Sequence, residues 1–179
     1  MTRTICLHGP ESTGKSTLAP RLARHLGGVV VPEYGRLFAE TRGIEFTMAD
    51  LVTIAGTHDQ MTRTMLAGGA DPLILDTDPL MTAVWADMLF GRRDPWFDAW
   101  QGTADLYLLA DIDLPWVEDG TRLFGGEADR RRFFELSRAE LERRGVRWAL
   151  IGGAGEVRFR NALKAIEAAG LGSWRQSIV

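Results

Sequence analysis

Cysteine is all but missing. The chain has one, Cys6, inside its first apolar run, which excludes an internal disulfide and reads as a small core residue of a protein expected in a reducing compartment, the cytoplasm. No apolar run approaches the length that crosses a bilayer, and the first residues lack the pattern of a secretory signal, so no membrane partner is expected. Charge of one sign is also lacking. A net charge of −3 speaks against an extended nucleic-acid surface, so no nucleic-acid partner is expected. Of 21 basic residues only Lys15 and Lys164 are lysines, an arginine bias that suits planar recognition of phosphate or carboxylate. His25 and His58 lie in helical patterns without metal-ligand spacing, and read as helix-surface or core positions. No repeat, low-complexity tract or linker interrupts the 179 residues, whose 45% apolar content supports one core; a single domain over 1–179 is expected.

What is present centres on residues 5–18, ICLHGPESTGKSTL. Gly9 to Ser16 fits G-x-x-x-x-G-K-[ST], preceded by an apolar strand and followed at once by a helical pattern, the context a phosphate-binding P-loop requires. Glycines at both ends let the backbone curl around phosphate oxygens, with the N–H groups of Ser12, Thr13, Gly14 and Thr17 and the helix N-terminus directed inward. Lys15 would reach the β and γ phosphates of ATP, and the Ser16 hydroxyl would ligate Mg²⁺.

Downstream, apolar runs at 29–31, 72–75, 105–110 and 146–151 read as strands, and periodic segments at 35–41, 47–67, 80–90, 95–101, 130–144 and 157–169 as helices. Residues 170–179 are expected to fray. Strand and helix alternation implies an α/β fold, a five-stranded parallel sheet with helices on both faces and ligands at the strands' carboxyl ends. The aperiodic stretch 111–130 reads as an arginine-bearing lid.

Each strand end delivers polar groups to that edge. Glu33-Tyr34-Gly35-Arg36 follows the second strand: the carboxylate could take the proton of an acceptor hydroxyl, and Arg36 could hold developing phosphate charge. Asp76-Thr77-Asp78 follows the third: Asp76 suits the Mg²⁺ shell and Asp78 an acceptor hydroxyl, with capping of the next helix as Asp78's competing role. A motor ATPase usually places Glu directly after such an Asp to activate water; here it is Thr77, and no N-K-x-D guanine-reading motif is present. Pro115-Trp116-Val117-Glu118-Asp119-Gly120-Thr121-Arg122 and Arg130 would close over the phosphates and exclude water. Three arginines at 130–132, taken as a helix start, oppose the helix dipole and favour a ligand there. Gly152, Gly153 and Arg158 are candidates for the adenine side.

GPESTGKST, EYGR, DTD, the G-x-x-x-P of Gly91 to Pro95, PWVEDGTR and Arg130 together resemble the ribosylnicotinamide kinase domain of NadR-type proteins, over about Ile5 to Phe133. The resemblance implies a P-loop kinase that transfers the γ-phosphate of ATP to a nucleoside 5′-hydroxyl, with Lys15 and Ser16 on phosphate and Mg²⁺, Glu33 and Asp76 as acceptor-side and metal-side carboxylates, and Arg122 and Arg130 as lid cations. In that family, aromatic side chains sandwich the nicotinamide ring; Pro32 and Met61 stand at those positions here, and neither offers the π face that a cationic pyridinium favours. Tyr34 or Trp85 could take their place, and Tyr34 and Trp116 join the acceptor-side candidates. The acceptor expected is a nucleoside-like small molecule, nicotinamide riboside first; the alternatives are another nucleoside or vitamin-like alcohol, or an ATP-binding sensor without turnover. The sequence leaves room for a homo-oligomer.

Overall fold

The structure is a computed structural model that describes residues 2–172. Its elements run β1 (Thr4–His8), α1 (Lys15–Leu26), β2 (Val29–Val31), α2 (Tyr34–Arg42), α3 (Met48–Ala67), β3 (Leu73–Asp76), α4 (Pro79–Phe90), α5 (Pro95–Ala99), β4 (Leu106–Ala110), α6 (Glu127–Arg144), β5 (Trp148–Ile151) and α7 (Gly155–Ala168). The five strands pair in parallel in the order β2-β3-β1-β4-β5. The expected α/β class and parallel sheet are borne out.

The apolar runs sort by alternation. Ile5, Leu7, Ile74, Leu106 and Leu108 face α1 and α7 through Leu18, Leu22, Leu26, Ala162 and Ile166. Cys6, Leu73, Leu75, Tyr107 and Leu109 face the other way, onto Leu80, Trp100 and Leu141 with Met61 and Met65. Both faces of the sheet are therefore covered, and its strands are apolar throughout for that reason. Pro32 is exposed and Met61 packs into this second core.

Because β1 has β3 on one side and β4 on the other, the loop after β1 emerges where the winding reverses, the crevice in which open α/β sheets bind ligands. Asp76 pairs in register with Leu7, and β2 ends just before Glu33, so three polar strand ends meet at one edge.

Local signals account for most boundaries. Thr47 and Asp50 form a full capping box, the Thr47 hydroxyl accepting from Asp50 N at 3.2 Å and the Asp50 carboxylate from Thr47 N at 2.8 Å. Most boundaries shift by one or two residues, and the starts of α6 and β5 show why. Helix α6 begins at Glu127, so Arg130 to Arg132 lie about a turn inside it, behind Glu127 and Asp129, whose charges suit the helix start. The dipole conflict expected at 130–132 does not arise. Strand β5 begins at Trp148, because Val146 N still bonds Leu141 O in the turn around the left-handed Gly145. The expectation for 170–179 falls, from residue 173 onward, outside the described residues. Among the described residues, no helix is long and apolar enough to cross a membrane.

Candidate active site

The loop at 9–14 owes its course to positive backbone angles. Gly9 has φ +121° and lies so close to β4 that a Cβ there would meet Ala110 O at 3.0 Å; Gly14, at +79°, leads into α1. Inside the loop, buried Thr13 donates from Oγ1 to Pro10 O at 2.8 Å. Lys15 is buried as well, its Nζ donating to Gly9 O at 2.9 Å and Pro10 O at 2.5 Å. Burial lowers its pKa, against the opposing pull of the Glu33, Asp76 and Glu11 carboxylates. Ser16 and Thr17 are exposed, and with Gly9, Ser12, Thr13, Gly14 and Lys15 they border one cavity.

Glu33 stands at the N-cap of α2 and lines that cavity. Burial, with the nearby Asp76 charge, pushes its carboxyl up to about 7, despite Lys15 and Arg36. Arg36, on the first turn of α2, also lines the cavity and pairs with Asp119 at 3.0 Å. Asp76 is buried at the end of β3, and among the described residues its Oδ1 has no hydrogen-bond partner. Thr77 follows with φ +68°, a costly angle for a branched residue, and borders the cavity. Asp78 is turned inward: its side chain caps α4 through Leu80 N at 2.9 Å and accepts the Tyr107 hydroxyl. Burial raises its pKa to about 6. Tyr34 packs edge-on against Phe38, ring centroids 6.5 Å apart. Asp76, Asp78 and Tyr34 do not border the cavity, Asp76 standing one residue behind the cavity-lining Thr77.

The connection between β4 and α6 folds down onto the phosphate loop. Ser12 Oγ accepts from Val117 N at 2.9 Å and Arg122 Nη1 at 3.3 Å, and the Glu11 carboxylate accepts from Leu123 N and Phe124 N. Arg122 reaches the cavity beside Thr121 and pairs with Asp119 at 3.1 Å. Trp116 instead braces the connection, its indole packed so closely on Gly125 that a Cβ there would sit 3.0 Å away. Arg130 donates to Leu114 O at 2.8 Å. Trp116 and Arg130 therefore hold the connection without bordering the cavity.

Arg158 has a similar tying role. Buried on α7, it donates to Thr13 O and Gly153 O, each at 2.6 Å, and to the Asp113 carboxylate. Burial lowers its pKa, with Asp113 and Asp111 pulling the other way. Its guanidinium is thus occupied by protein oxygens around the loop. Arg158→Met should cost about 1–3 kcal/mol, because the Gly153, Thr13 and Asp111 carbonyls lose their donor and the partly exposed Asp113 loses its counter-charge. Arg158→Lys should recover only part, since an ammonium cannot span the same fan of acceptors. Denaturant midpoints of the three proteins check this.

The far side of the cavity is apolar: Phe46, Leu51, Ile54, Met81 and Trp85. Trp85 meets Phe46 edge-on at 6.2 Å and Phe124 at a tilt at 5.4 Å between centroids, so an aromatic surface exists although Pro32 and Met61 supply none of it. His58 joins this wall, buried, beside the backbone of Pro32 and Asp76. Burial lowers its pKa to about 4, so it is neutral at pH 7. His25 is exposed, as a helix-surface histidine should be. Leu51 and Ile54 carry no signal beyond helical apolar periodicity, Phe46 just ahead of that helix carries none, and Glu11 is hidden at a position the loop motif leaves free.

A phosphate loop after the central strand of a parallel sheet, with carboxylates at the ends of two neighbouring strands, defines a P-loop nucleotide-binding domain. Residues 4–158 match the AAA domain family, and the chain belongs to it. It is 31% identical over 155 residues to the trifunctional NAD biosynthesis/regulator protein NadR of Escherichia coli, an overlap of 83% of this chain and 38% of that protein. The chain thus spans under two fifths of that relative's length. Its fold is similar to that of NadR protein in complex with NR, at TM-score 0.81 and 22% identity over 99% of this chain and 53% of the other. It is also similar to thymidylate kinase from Ehrlichia chaffeensis, at TM-score 0.68 and 13% identity over 93% and 98% of the two chains. The expected resemblance to NadR-type proteins and the P-loop fold are borne out.

Proposed function

We propose that this domain is an ATP- and Mg²⁺-dependent cytoplasmic kinase that transfers the γ-phosphate to a hydroxyl of a nucleoside-like small molecule, with nicotinamide riboside the first acceptor to test. The observation that carries this is the sharing of one cavity by the phosphate loop, a carboxyl poised near pH 7 at Glu33, and an aromatic wall of Phe46 and Trp85. Lys15 and Arg122 hold the charge of the transferring group, Glu33 orients the acceptor hydroxyl and takes its proton, and the wall receives a flat ring. The orphaned Asp76 Oδ1 and the exposed Ser16 at the start of α1 fit a magnesium shell, and the ion would add neutralising charge to the phosphates. The 111–126 connection excludes water, which favours transfer over hydrolysis. The NR-bound relative supports the choice of acceptor.

The test is incubation of the protein with ATP, Mg²⁺ and a panel of nucleosides and vitamin-like alcohols. Nicotinamide riboside should gain the mass of one phosphate. Steady ATP hydrolysis with no acceptor phosphorylated would end the kinase reading.

A further inference from the structure

Glu11 occupies a position of the phosphate loop where the motif asks for nothing, and a carboxylate is an odd occupant there. It adds negative charge where a polyanion must bind, and Lys15 and Arg122 are the cations facing it. Its own geometry supplies a reason to keep it. One oxygen accepts from Leu123 N at 3.1 Å; the other accepts from the same N–H at 3.2 Å and from Phe124 N at 3.1 Å. These are the two backbone N–H groups directly after Arg122. Charge-assisted bonds of this kind are stronger than neutral ones, and two adjacent N–H donors on one carboxylate fix the direction of the chain as well as its distance.

The rest of the segment is held on either side. Arg122 itself reaches Ser12 Oγ at 3.3 Å, the Phe124 ring packs on Trp85, and Val117 N reaches the same Ser12 hydroxyl at 2.9 Å. The carboxylate, which itself borders the cavity, therefore grips the segment 122–124, of which only Arg122 borders the cavity too. Burial raises the Glu11 pKa, while the two N–H bonds, Lys15 and Arg122 work against that rise.

We infer that Glu11 is a positioning residue: by gripping the N–H groups of Leu123 and Phe124 it seats the Arg122 guanidinium over the phosphate loop. The inference rests on the kinase reading for its effect on turnover, and on the structure alone for its effect on the segment.

Two measurements test it. Amide hydrogen exchange in the ligand-free protein reads the grip without any acceptor: in Glu11→Ala, Leu123 and Phe124 should exchange about tenfold faster or more, while β1 and β4 keep their protection. Unchanged exchange at 123 and 124 overturns the inference, whether or not any acceptor is phosphorylated. The second is a kinetic cycle with ATP and nicotinamide riboside on wild type, Glu11→Ala, Arg122→Ala and the double variant. Misplacement of a catalytic group by about an ångström can cost on the order of 10²-fold, so Glu11→Ala should lower kcat by roughly 10–100-fold with acceptor KM little moved. In the Arg122→Ala background the same change should do almost nothing further, because the residue acts through that arginine. Losses that multiply in the double variant would place Glu11 on the substrate instead and overturn the inference. Glu11→Gln keeps a side-chain acceptor and should recover part of both readouts; it serves the cycle if the alanine variant does not fold. Absence of turnover in the wild type removes the kinase reading while the exchange result still decides the grip.

Discussion

Glu33→Gln is expected to lower kcat for phosphoryl transfer by about 10²–10⁴-fold while ATP affinity holds, the range that loss of a positioned general base produces. The side chain keeps its shape at the N-cap of α2 and loses only the ability to take a proton. Burial and the Asp76 charge hold its carboxyl near 7, so a base is available in a useful fraction at neutral pH. The wild-type kcat/KM should rise with pH along a limb centred near 7, and the variant should lose that limb. Equal turnover in wild type and variant would remove Glu33 from this role. Stability should move the other way. Folding raises the Glu33 pKa from about 4.5 to about 7, so the protonated form is the one the fold favours. The contribution is complete below about 4.5 and is lost as pH rises through 7, at an upper bound of about 3 kcal/mol. A glutamine, neutral at every pH, avoids that loss. Thermal unfolding should therefore find Glu33→Gln more stable than wild type at pH 8 and indistinguishable from it near pH 4. Gain of stability with loss of turnover is what a site under electrostatic strain predicts.

How far the sequence reaches depends on the kind of signal. The phosphate loop was legible because backbone geometry dictates its residues: Gly9 and Gly14 stand at positive φ, and no side chain fits Gly9 against Ala110. The strands were legible as apolar runs, but their order was not, since Ile74, Leu106 and Leu108 would fill any central position equally well. The candidate site divides in the same way. Lys15, Glu33, Arg36 and Arg122 come together at the cavity because each follows a strand end or the loop that covers it. Asp78 and Arg158 look equally available in sequence, yet nothing there reveals that Tyr107 and Leu80 engage one, or that Thr13 and Gly153 engage the other. Residue type announces a hydrogen-bonding group; only the fold says whether a protein atom has already taken it. The aromatic wall was hidden for a related reason. Phe46 precedes α3 and Trp85 lies on α4, and their meeting at 6.2 Å is a product of helix packing rather than of spacing.

Lys15→Met should abolish measurable transfer, by about 10³-fold or more, since it removes the one lysine of the loop from the phosphates. Its effect on stability is more telling. Lys15 is a buried cation among three carboxylates, those of Glu33, Asp76 and Glu11, and its Nζ also serves the Gly9 and Pro10 carbonyls. Removing the cation from buried anions ordinarily costs about 3–5 kcal/mol. Here the cluster has an escape, because Glu33 titrates near neutrality and can accept a proton. Lys15 now lowers the Glu33 pKa; without it, that pKa climbs further above its unfolded value. The stability carried by the protonated form is then lost over a window that extends to higher pH, and the total lost is larger. The variant should be modestly destabilised at pH 6, where Glu33 is neutral, and markedly so at pH 8.5, where ionising it places unbalanced charge beside Asp76. Combining Lys15→Met with Glu33→Gln should restore most of the deficit at pH 8.5 and none of the activity. Thermal unfolding of the four proteins at the two pH values reads this directly. A deficit of the same size at both pH values, unrelieved by Glu33→Gln, would show that Lys15 supports the fold through its carbonyl contacts alone and that the carboxylates do not depend on it.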